Sequence, residues 1–481
     1  MPNLIAFNII WILVSVGVVL SAPRTLPDTS RLFGLFSSTL ILWFWIGIMS
    51  NFDFGEISYQ FQFSFDFVLP NAISEFSGGL DGFALCLILL TAIIMPICIY
   101  ASVNITKKIN EFIACILLIE LFLIISFVTT NMFIFFVFFE SVLIPMFIMI
   151  GYWGSRDRKI KAAYYFFFYT LFGSLFMLFG MLYIWNITGS LNYIVLINQK
   201  FSMQSHIFLF VLFFIPFAIK IPMFPFHIWL PEAHVEAPTI GSIILASLLL
   251  KLGSFGFLKF TIPLFWYGVA YFSIIIDMLS ILSIIYASLA TIRQIDMKKI
   301  IAYSSIAHMN LIVLGLFSLN QHGIDGSIYL MIGHGVISSA LFYCVGVLYD
   351  RYHTRLLKYY GGLVILMPWF TIFFLLFTLA NMSFPGTSNF IGEFVILLGV
   401  FGRNSFAAFC GGLGIVFSAL YSIWLFNRVC FGTLKTKYIN KYQDLNQHEF
   451  QILLTFFVLQ TVLGLSSKTV FDLIWWNAYA Y

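Results

Sequence analysis

Windows of about twenty consecutive apolar residues recur along the whole chain of 481 residues, beginning at Leu4. Inside a lipid bilayer only helices and closed β-barrels satisfy every backbone hydrogen-bonding group. Runs such as Leu363 to Ala380 are longer than the roughly 9 to 11 residues of a membrane strand and lack its alternation. The sequence therefore predicts an all-α integral membrane protein.

The composition excludes an ordinary soluble protein, because 61% of the residues are hydrophobic and only 9% are charged. The chain contains no glycine-rich dinucleotide motif, P-loop or nucleophile elbow. The six cysteines stand singly, so we expect core residues rather than disulfides or metal ligands: Cys86, Cys98, Cys115, Cys344, Cys410 and Cys430. We expect the chain itself to bind no cofactor, no metal and no nucleic acid.

Hydropathy and turn signals predict about fourteen transmembrane helices. No transit segment precedes the first one, so we expect that helix to remain in the protein. The predicted helices lie near residues 4–20, 32–50, 80–101, 111–129, 131–150, 163–187, 206–229, 238–260, 268–290, 299–318, 326–349, 365–398, 406–430 and 449–467.

Lysine and arginine concentrate in the loops that follow odd-numbered helices. The loops and helix ends of the other side carry only Lys200, Lys259, Arg403 and Lys468. Short basic loops stay on the side of synthesis, so both termini are predicted on the outer side of the membrane.

Several charged residues fall inside predicted helices, and four of them stand out: Glu140 in helix 5, Lys220 in helix 7, Lys251 in helix 8 and Glu393 in helix 12. A charge at mid-helix costs about 2.5 to 3.5 kcal/mol on insertion scales. Structural ion pairs or snorkelling to the interface would explain one or two such groups. Four in four helices favour a role in moving ions.

Helices 7 and 12 also contain breaks next to their charges. Lys220 precedes Pro222 and Pro225, and Pro385-Gly386 precedes Glu393. Proline removes an amide donor and clashes with the preceding turn, so both helices should break at membrane depth. Paired broken helices are typical of inverted repeats that carry ions. We therefore expect two inverted five-helix repeats, at residues 103–262 and 263–430, after an N-terminal segment of residues 1–102 and before a C-terminal segment of residues 431–481.

Two histidines extend the set of candidates. His308 in helix 10 and His334 in helix 11 have serine and glycine neighbours, which leave room for water, and histidine can pass a proton between its two ring nitrogens. A buried core histidine is the alternative for each. Glu120 and Asp277 are weaker candidates.

Four residues after the break in helix 7, namely His227, Glu232, His234 and Glu236, form a dense cluster. Their spacing matches no metal-binding motif well. An interfacial turn is the favoured interpretation.

At these residues the sequence resembles the antiporter-like, proton-translocating membrane subunits of respiratory complex I, NADH:ubiquinone oxidoreductase, and among them the subunit 4 branch. The resemblance covers about residues 80 to 430. It rests on FFESVLIP at 138–145, KIPMFPFHIWLPEAHVEAP at 220–238, His334-Gly335 followed by YDRYHTR at 349–355, and NFIGEF at 389–394.

This resemblance implies a division of roles. Glu140 and Lys220 would form the input pair, Lys251 with His308 and His334 the central relay, and Glu393 the output group. NADH, FMN, iron–sulfur clusters and ubiquinone would be bound by partner subunits. The partners would be other membrane-arm subunits, especially subunit 2-like and subunit 5-like homologues, together with lipid. The location would be the mitochondrial inner membrane, with both termini on the intermembrane-space side.

Other functions fit the same sequence. A subunit of a multisubunit cation/proton antiporter would use the same buried groups. A purely structural membrane spacer or a transporter of soluble substrates also satisfies the hydropathy.

Overall fold

The computed structural model describes residues 3–23, 27–56, 58–66, 75–435 and 442–475. The chain forms two compact units. The first comprises Met1–Lys220, Lys251–Ser273 and Asp472–Tyr481, and the second comprises Ile221–Leu250 and Ile274–Phe471.

The first half of the chain contains a β-hairpin among its helices. The elements are α1 (Asn3–Ser21), α2 (Pro27–Ser50), β1 (Gln60–Asp66), β2 (Glu75–Leu80), α3 (Gly82–Ala101), α4 (Ile109–Val128), α5 (Met132–Ser141), α6 (Leu143–Trp153), α7 (Lys159–Thr188), α8 (Tyr193–Leu196), α9 (Met203–Lys220), α10 (Trp229–Glu236) and α11 (Thr239–Ile244).

In the second half of the chain, the described residues form further helices. They are α12 (Leu250–Gly256), α13 (Ile262–Leu264), α14 (Trp266–Arg293), α15 (Met297–Leu316), α16 (Gln321–Tyr352), α17 (Leu363–Leu366), α18 (Pro368–Asn381), α19 (Ser388–Arg403), α20 (Ser405–Cys430), α21 (Gln447–Leu465) and α22 (Lys468–Trp475). Two π-helical segments, Leu245–Leu249 and Phe257–Thr261, join α11, α12 and α13 into one span, and short 3-10 turns lie at Ser102–Asn104 and Leu357–Tyr359.

The predicted all-α membrane fold is confirmed. Thirteen helices within the described residues are long and apolar enough to cross a membrane. The one remaining predicted span, helix 12, is not a single long helix. It consists of two shorter helices, α18 and α19. Both chain termini, whose side of the membrane the sequence predicts, lie outside the described residues.

Both predicted breaks are present. Helix α9 ends at Lys220 and is followed by turns until α10 begins at Trp229. Helix α18 ends at Asn381, and α19 begins at Ser388. Helix 5 is also divided, into α5 and α6, at Val142. Because the ring of Pro145 clashes with the carbonyl four residues earlier, this proline accounts for the irregularity that leaves Glu140 in the last turn of α5.

The hairpin of β1 and β2 was not predicted, because its strands are shorter than the apolar runs that indicate membrane helices. The strands pair antiparallel, with Phe63 opposite Gly78. The segment QFQFSFD of β1 alternates polar and aromatic residues, which is the period of a strand. Those alternating residues lie between α2 and α3.

Helix α16 is the centre of the second unit, where it contacts α11, α15, α18, α19 and α21. It packs on α19 through glycines. A Cβ added at Gly326 would lie 2.6 Å from the Ile396 backbone nitrogen, and one at Gly392 would lie 2.8 Å from the Leu330 Cβ. The two backbones therefore approach closely only because these positions lack side chains.

Replacing Gly326 by valine should loosen this contact. The new side chain meets backbone atoms of α19, which cannot rotate away, and overpacking of this kind costs about 1 to 3 kcal/mol. We expect a lower thermal unfolding midpoint of the purified protein or complex. Gly412→Val is the matched control, because a Cβ there has no heavy atom within 4 Å. An equal effect of both variants would contradict the packing interpretation.

Candidate functional site

Glu140 and Lys220 both lie in the first unit, on α5 and α9. The Lys220 side chain is buried, and its Nζ lies 4.3 Å from the centre of the Phe139 ring. Within the described residues, neither Lys220 Nζ nor Glu140 Oε1 has a hydrogen-bond partner. The Glu140 carboxyl is near enough to Lys220 to interact with it electrostatically. The two groups are thus coupled but not joined by a hydrogen bond.

Lys251 is fully buried in the same unit. It lies in α12, between the two π-helical segments. A π-helical turn frees backbone groups from the regular ladder and is frequent at functional sites. The Ser254 hydroxyl donates to the carbonyl of Lys251. Nothing in the sequence pattern indicated these segments.

His308, His334 and Glu393 come together in the second unit. The His308 Nδ1 lies 2.9 Å from the Glu393 Oε1, and both side chains are buried. The ring centres of His308 and His334 are 5.7 Å apart. The sequence proposed these three residues as members of one relay, and the structure brings them into one cluster.

Tyr421 completes this cluster and was not predicted. Its hydroxyl lies 3.5 Å from the His308 Nε2, whereas Glu393 contacts the other ring nitrogen, Nδ1. A cavity of about 10 Å³ is lined by His308, Glu393, Ser418 and Tyr421. That volume is close to what one water molecule needs. The cluster therefore contains two hydrogen-bond links and room for water.

Glu120 and Asp277 differ in their surroundings. Glu120 on α4 is fully buried, and neither carboxyl oxygen has a hydrogen-bond partner within the described residues. The Asp277 carboxylate on α14 lies 3.0 Å from the Arg403 guanidinium and forms an ion pair. Asp277 is thus paired, whereas Glu120 is a buried acid that forms no ion pair within the described part of the chain.

Three further basic residues are buried, although the sequence placed them in loops or at helix ends. The Lys259 Nζ lies 3.6 Å from Asp81. The Lys298 Nζ donates to the carbonyl of Ala237 at 2.9 Å. Arg355 binds Asp296 at 2.7 Å and Glu236 at 2.9 Å. Their acidic or carbonyl partners lie far away in the sequence, which is why hydropathy missed their burial.

The cluster after the break in helix 7 is a connection point between elements of the second unit. Lys299 forms an ion pair with Glu232 at 2.7 Å, and Glu236 binds Arg355. His227 packs beside the Tyr286 ring, at 5.2 Å between centres. Among the described residues, no group of three or more His, Cys, Asp or Glu is arranged to hold a metal ion.

Comparison with known proteins gives the family. The family model described as NADH:quinone oxidoreductase/Mrp antiporter, TM, matches residues 129–419, which include all six candidate relay residues. NADH-ubiquinone oxidoreductase chain 4 of Marchantia polymorpha is 54% identical over 420 residues, which cover 87% of this chain and 83% of that protein. The chain belongs to the NADH-ubiquinone oxidoreductase chain 4 family.

Further chain 4 relatives and solved structures agree. The Arabidopsis thaliana chain 4 is 50% identical over 456 residues, covering 95% of this chain and 92% of that protein. A chain of respiratory complex I from Thermus thermophilus with bound NADH superimposes with a TM-score of 0.89 at 27% identity, covering 99% and 98% of the two chains. The archaeal membrane-bound sulfane sulfur reductase shares the fold, with a TM-score of 0.84 at 22% identity over 95% and 75%. The resemblance drawn from the motifs is confirmed.

In this chain 4 member, replacing Arg355 by methionine should prevent stable folding of the second unit. The change leaves Asp296 and Glu236 buried without their cation, and breaking a buried pair in this way costs about 3 to 5 kcal/mol. We expect strongly reduced amounts of assembled complex on a native gel. Lys358→Met is the control, because Lys358 lies three residues away and is exposed. Normal assembly of the Arg355 variant would show that the network does not hold the fold.

Proposed function

We propose that this chain is a proton-pumping membrane-arm subunit of NADH:ubiquinone oxidoreductase. The observation that carries the proposal is the buried hydrogen bond between His308 Nδ1 and Glu393 Oε1, at 2.9 Å, beside a cavity the size of a water molecule. A histidine bonded to a carboxylate at one nitrogen and near a hydroxyl at the other can receive a proton on one side and release it on the other. Membership of the chain 4 family supports the same conclusion.

In the first unit, Glu140 and Lys220 act as the input pair. Burial disfavours the charged form of either group, while a nearby opposite charge favours it. A change in their separation therefore changes how firmly Lys220 holds its proton. The present geometry, with Lys220 Nζ against the Phe139 ring and no direct hydrogen bond to Glu140, suits such a loose pair.

Lys251 is the next proton carrier of the first unit, and His308, His334 and Glu393 are the carriers of the second. This order follows the roles that the family resemblance implies. It is supported by the complete burial of Lys251 between π-helical turns and by the clustering of the other three residues. Residues 103–262 and 263–430 are proposed as the two inverted repeats that contain them.

Moving one elementary charge against 100 mV requires about 2.3 kcal/mol, so the relay needs an external drive. We infer that this drive is electron transfer from NADH to ubiquinone, through FMN and iron–sulfur clusters held by partner subunits. The chain is then part of an enzyme without performing redox chemistry itself. Its own residues bind, hold and release protons.

The proposed neighbours are other membrane-arm subunits, in particular the subunit 2-like and subunit 5-like antiporter homologues, and membrane lipid. The proposed location is the mitochondrial inner membrane. The eukaryotic origin of the chain 4 relatives supports this location. The basic loops would face the matrix, and both termini would face the intermembrane space.

A cation/proton antiporter subunit is the second candidate, because the matching family model includes Mrp antiporters. Purification of the intact particle separates the two functions. NADH:ubiquinone reduction that co-purifies with the chain and is inhibitor-sensitive supports the complex I function, whereas sodium-dependent proton exchange by a particle without NADH activity supports the antiporter.

Glu140→Gln and Lys220→Ala should each reduce NADH-driven proton pumping in sealed membrane vesicles while the complex still assembles. Loss of a proton-transfer group commonly slows a reaction by about 10²- to 10⁴-fold. Pumping is measured by dye quenching and normalised to assembled complex. Glu56→Gln, at an exposed residue, is the control. Wild-type pumping by both relay variants would disprove the proposed roles.

A further inference from the structure

A groove of about 420 Å³ opens between helices α1 and α2, and the relay described above makes no use of it. The groove lies wholly within the first unit. Both helices pack on α4, which leaves the groove on their other side. Its walls are mainly aromatic and aliphatic, among them Phe7, Leu40, Trp43 and Phe44, and two further lining residues, Asn8 and Trp11, carry polar groups.

The two polar residues of the groove contain buried atoms without partners. Asn8 is only 2% exposed, and its Oδ1 has no hydrogen-bond partner within the described residues. The Nε1 of Trp11 is a buried donor that also has none in that part of the chain. Residues three apart lie on one face of a helix, so the two side chains are neighbours. Buried polar groups in a native protein are nearly always hydrogen-bonded, so both call for a partner from outside the described chain.

These polar groups lie near the end of a span that matches the bilayer in length. Helix α1 has 19 residues and is therefore about 28 Å long, close to the roughly 30 Å of the hydrocarbon core. Trp11 is eight residues from the first residue of α1, or about 12 Å along the axis, and helical side chains lean about one turn back toward the N-terminus. The Trp11 indole therefore reaches the interfacial region, where tryptophan is typical and where lipid ester groups lie.

The size of the groove fits one acyl chain. A cavity of about 150 Å³ holds one benzene molecule, which is roughly 25 Å³ for each carbon atom. At that ratio the groove holds roughly 17 carbon atoms, which is the length of a common membrane acyl chain. Bulk lipid covers any exposed apolar side chain, whereas a groove of this size with polar atoms at one end fixes a single molecule.

A transmembrane helix of a partner subunit fits this surface less well. Helices in membranes approach one another through glycine, alanine, serine and threonine. None of the described residues that line the groove is small, and Phe7 and Trp43 project from it, 59% and 69% exposed. Such bulky side chains accommodate a flexible acyl chain between them better than the cylinder of a second helix.

We propose that the groove between α1 and α2 binds one membrane phospholipid. Its acyl chain lies along Phe7, Leu40 and Phe44, and its ester carbonyl accepts a hydrogen bond from the Trp11 Nε1. The Asn8 carboxamide, which contains both a donor and an acceptor, meets the glycerol region of the lipid and the water that hydrates it. This lipid site is independent of the proposed proton pumping.

The test uses the intact complex in nanodiscs that contain phosphatidylcholine with a photoreactive diazirine on one acyl chain. After illumination, mass spectrometry should locate lipid adducts on residues 7–11 and 40–44. Leu40→Trp should remove most of them, because the larger side chain fills the groove. Leu32→Trp is the matched control, since Leu32 is an exposed residue of α2 outside the groove. No adducts at these residues in the wild type, or equal adducts in Leu40→Trp, would overturn the proposal.

An ether-linked analogue of the same lipid tests the hydrogen bond, because it lacks the ester carbonyl. Its adduct yield at these residues should be about fivefold lower, which is the net value of one neutral hydrogen bond. Trp11→Phe should lower the yield of the ester lipid by the same factor and leave that of the ether lipid unchanged. Equal yields of the two lipids in the wild type would overturn the contact with Trp11. Proton pumping is not part of this readout, so its loss or presence leaves the result unaffected.

Discussion

A charged side chain in hydrocarbon is tolerated only where a partner, a dipole or water compensates for the lost hydration, and the cost otherwise reaches several kcal/mol for each ion. This chain surrounds its ionisable groups with spans that are almost entirely apolar. Arg355 meets the constraint through Asp296 and Glu236. Such closed pairs hold helices together. Transfer of a proton from one partner would leave the other partner as a buried charge without compensation.

The candidate relay residues meet the same constraint in a looser way. Lys220 contacts an aromatic ring instead of a carboxylate, and Glu393 binds a histidine, which can lose its charge, instead of an arginine. A group held in this way can change its protonation when a neighbour moves, because its surroundings fully stabilise neither the charged nor the neutral form. In the function we propose, the difference between closed pairs and loose ones separates structural charges from proton carriers. The two helix breaks lie next to these loosely held groups, because α9 ends at Lys220 and α19 begins shortly before Glu393.

Much of this arrangement could be predicted from the sequence. Apolar length predicts the spans, proline and glycine predict the breaks after Lys220 and Asn381, and the rarity of charge in helices singles out Glu140, Lys251 and Glu393. Local signals could not predict contacts made over long sequence distances. Tyr421 reaches His308 across 113 residues, and Arg355 reaches Glu236 across 119. The hairpin of β1 and β2 was missed for a different reason, because its alternating pattern is shorter than the apolar windows that identify membrane helices.

The central claim is that the buried carboxyl of Glu393 gains and loses a proton during turnover. Infrared difference spectroscopy of the intact complex, triggered by NADH, observes the carbonyl stretch of a protonated carboxyl directly. We predict a band in that region that appears or shifts during turnover and is absent in Glu393→Gln, while Glu56→Gln keeps it. An identical band in the Glu393 variant, or no carboxyl signal in the wild type, would contradict the account.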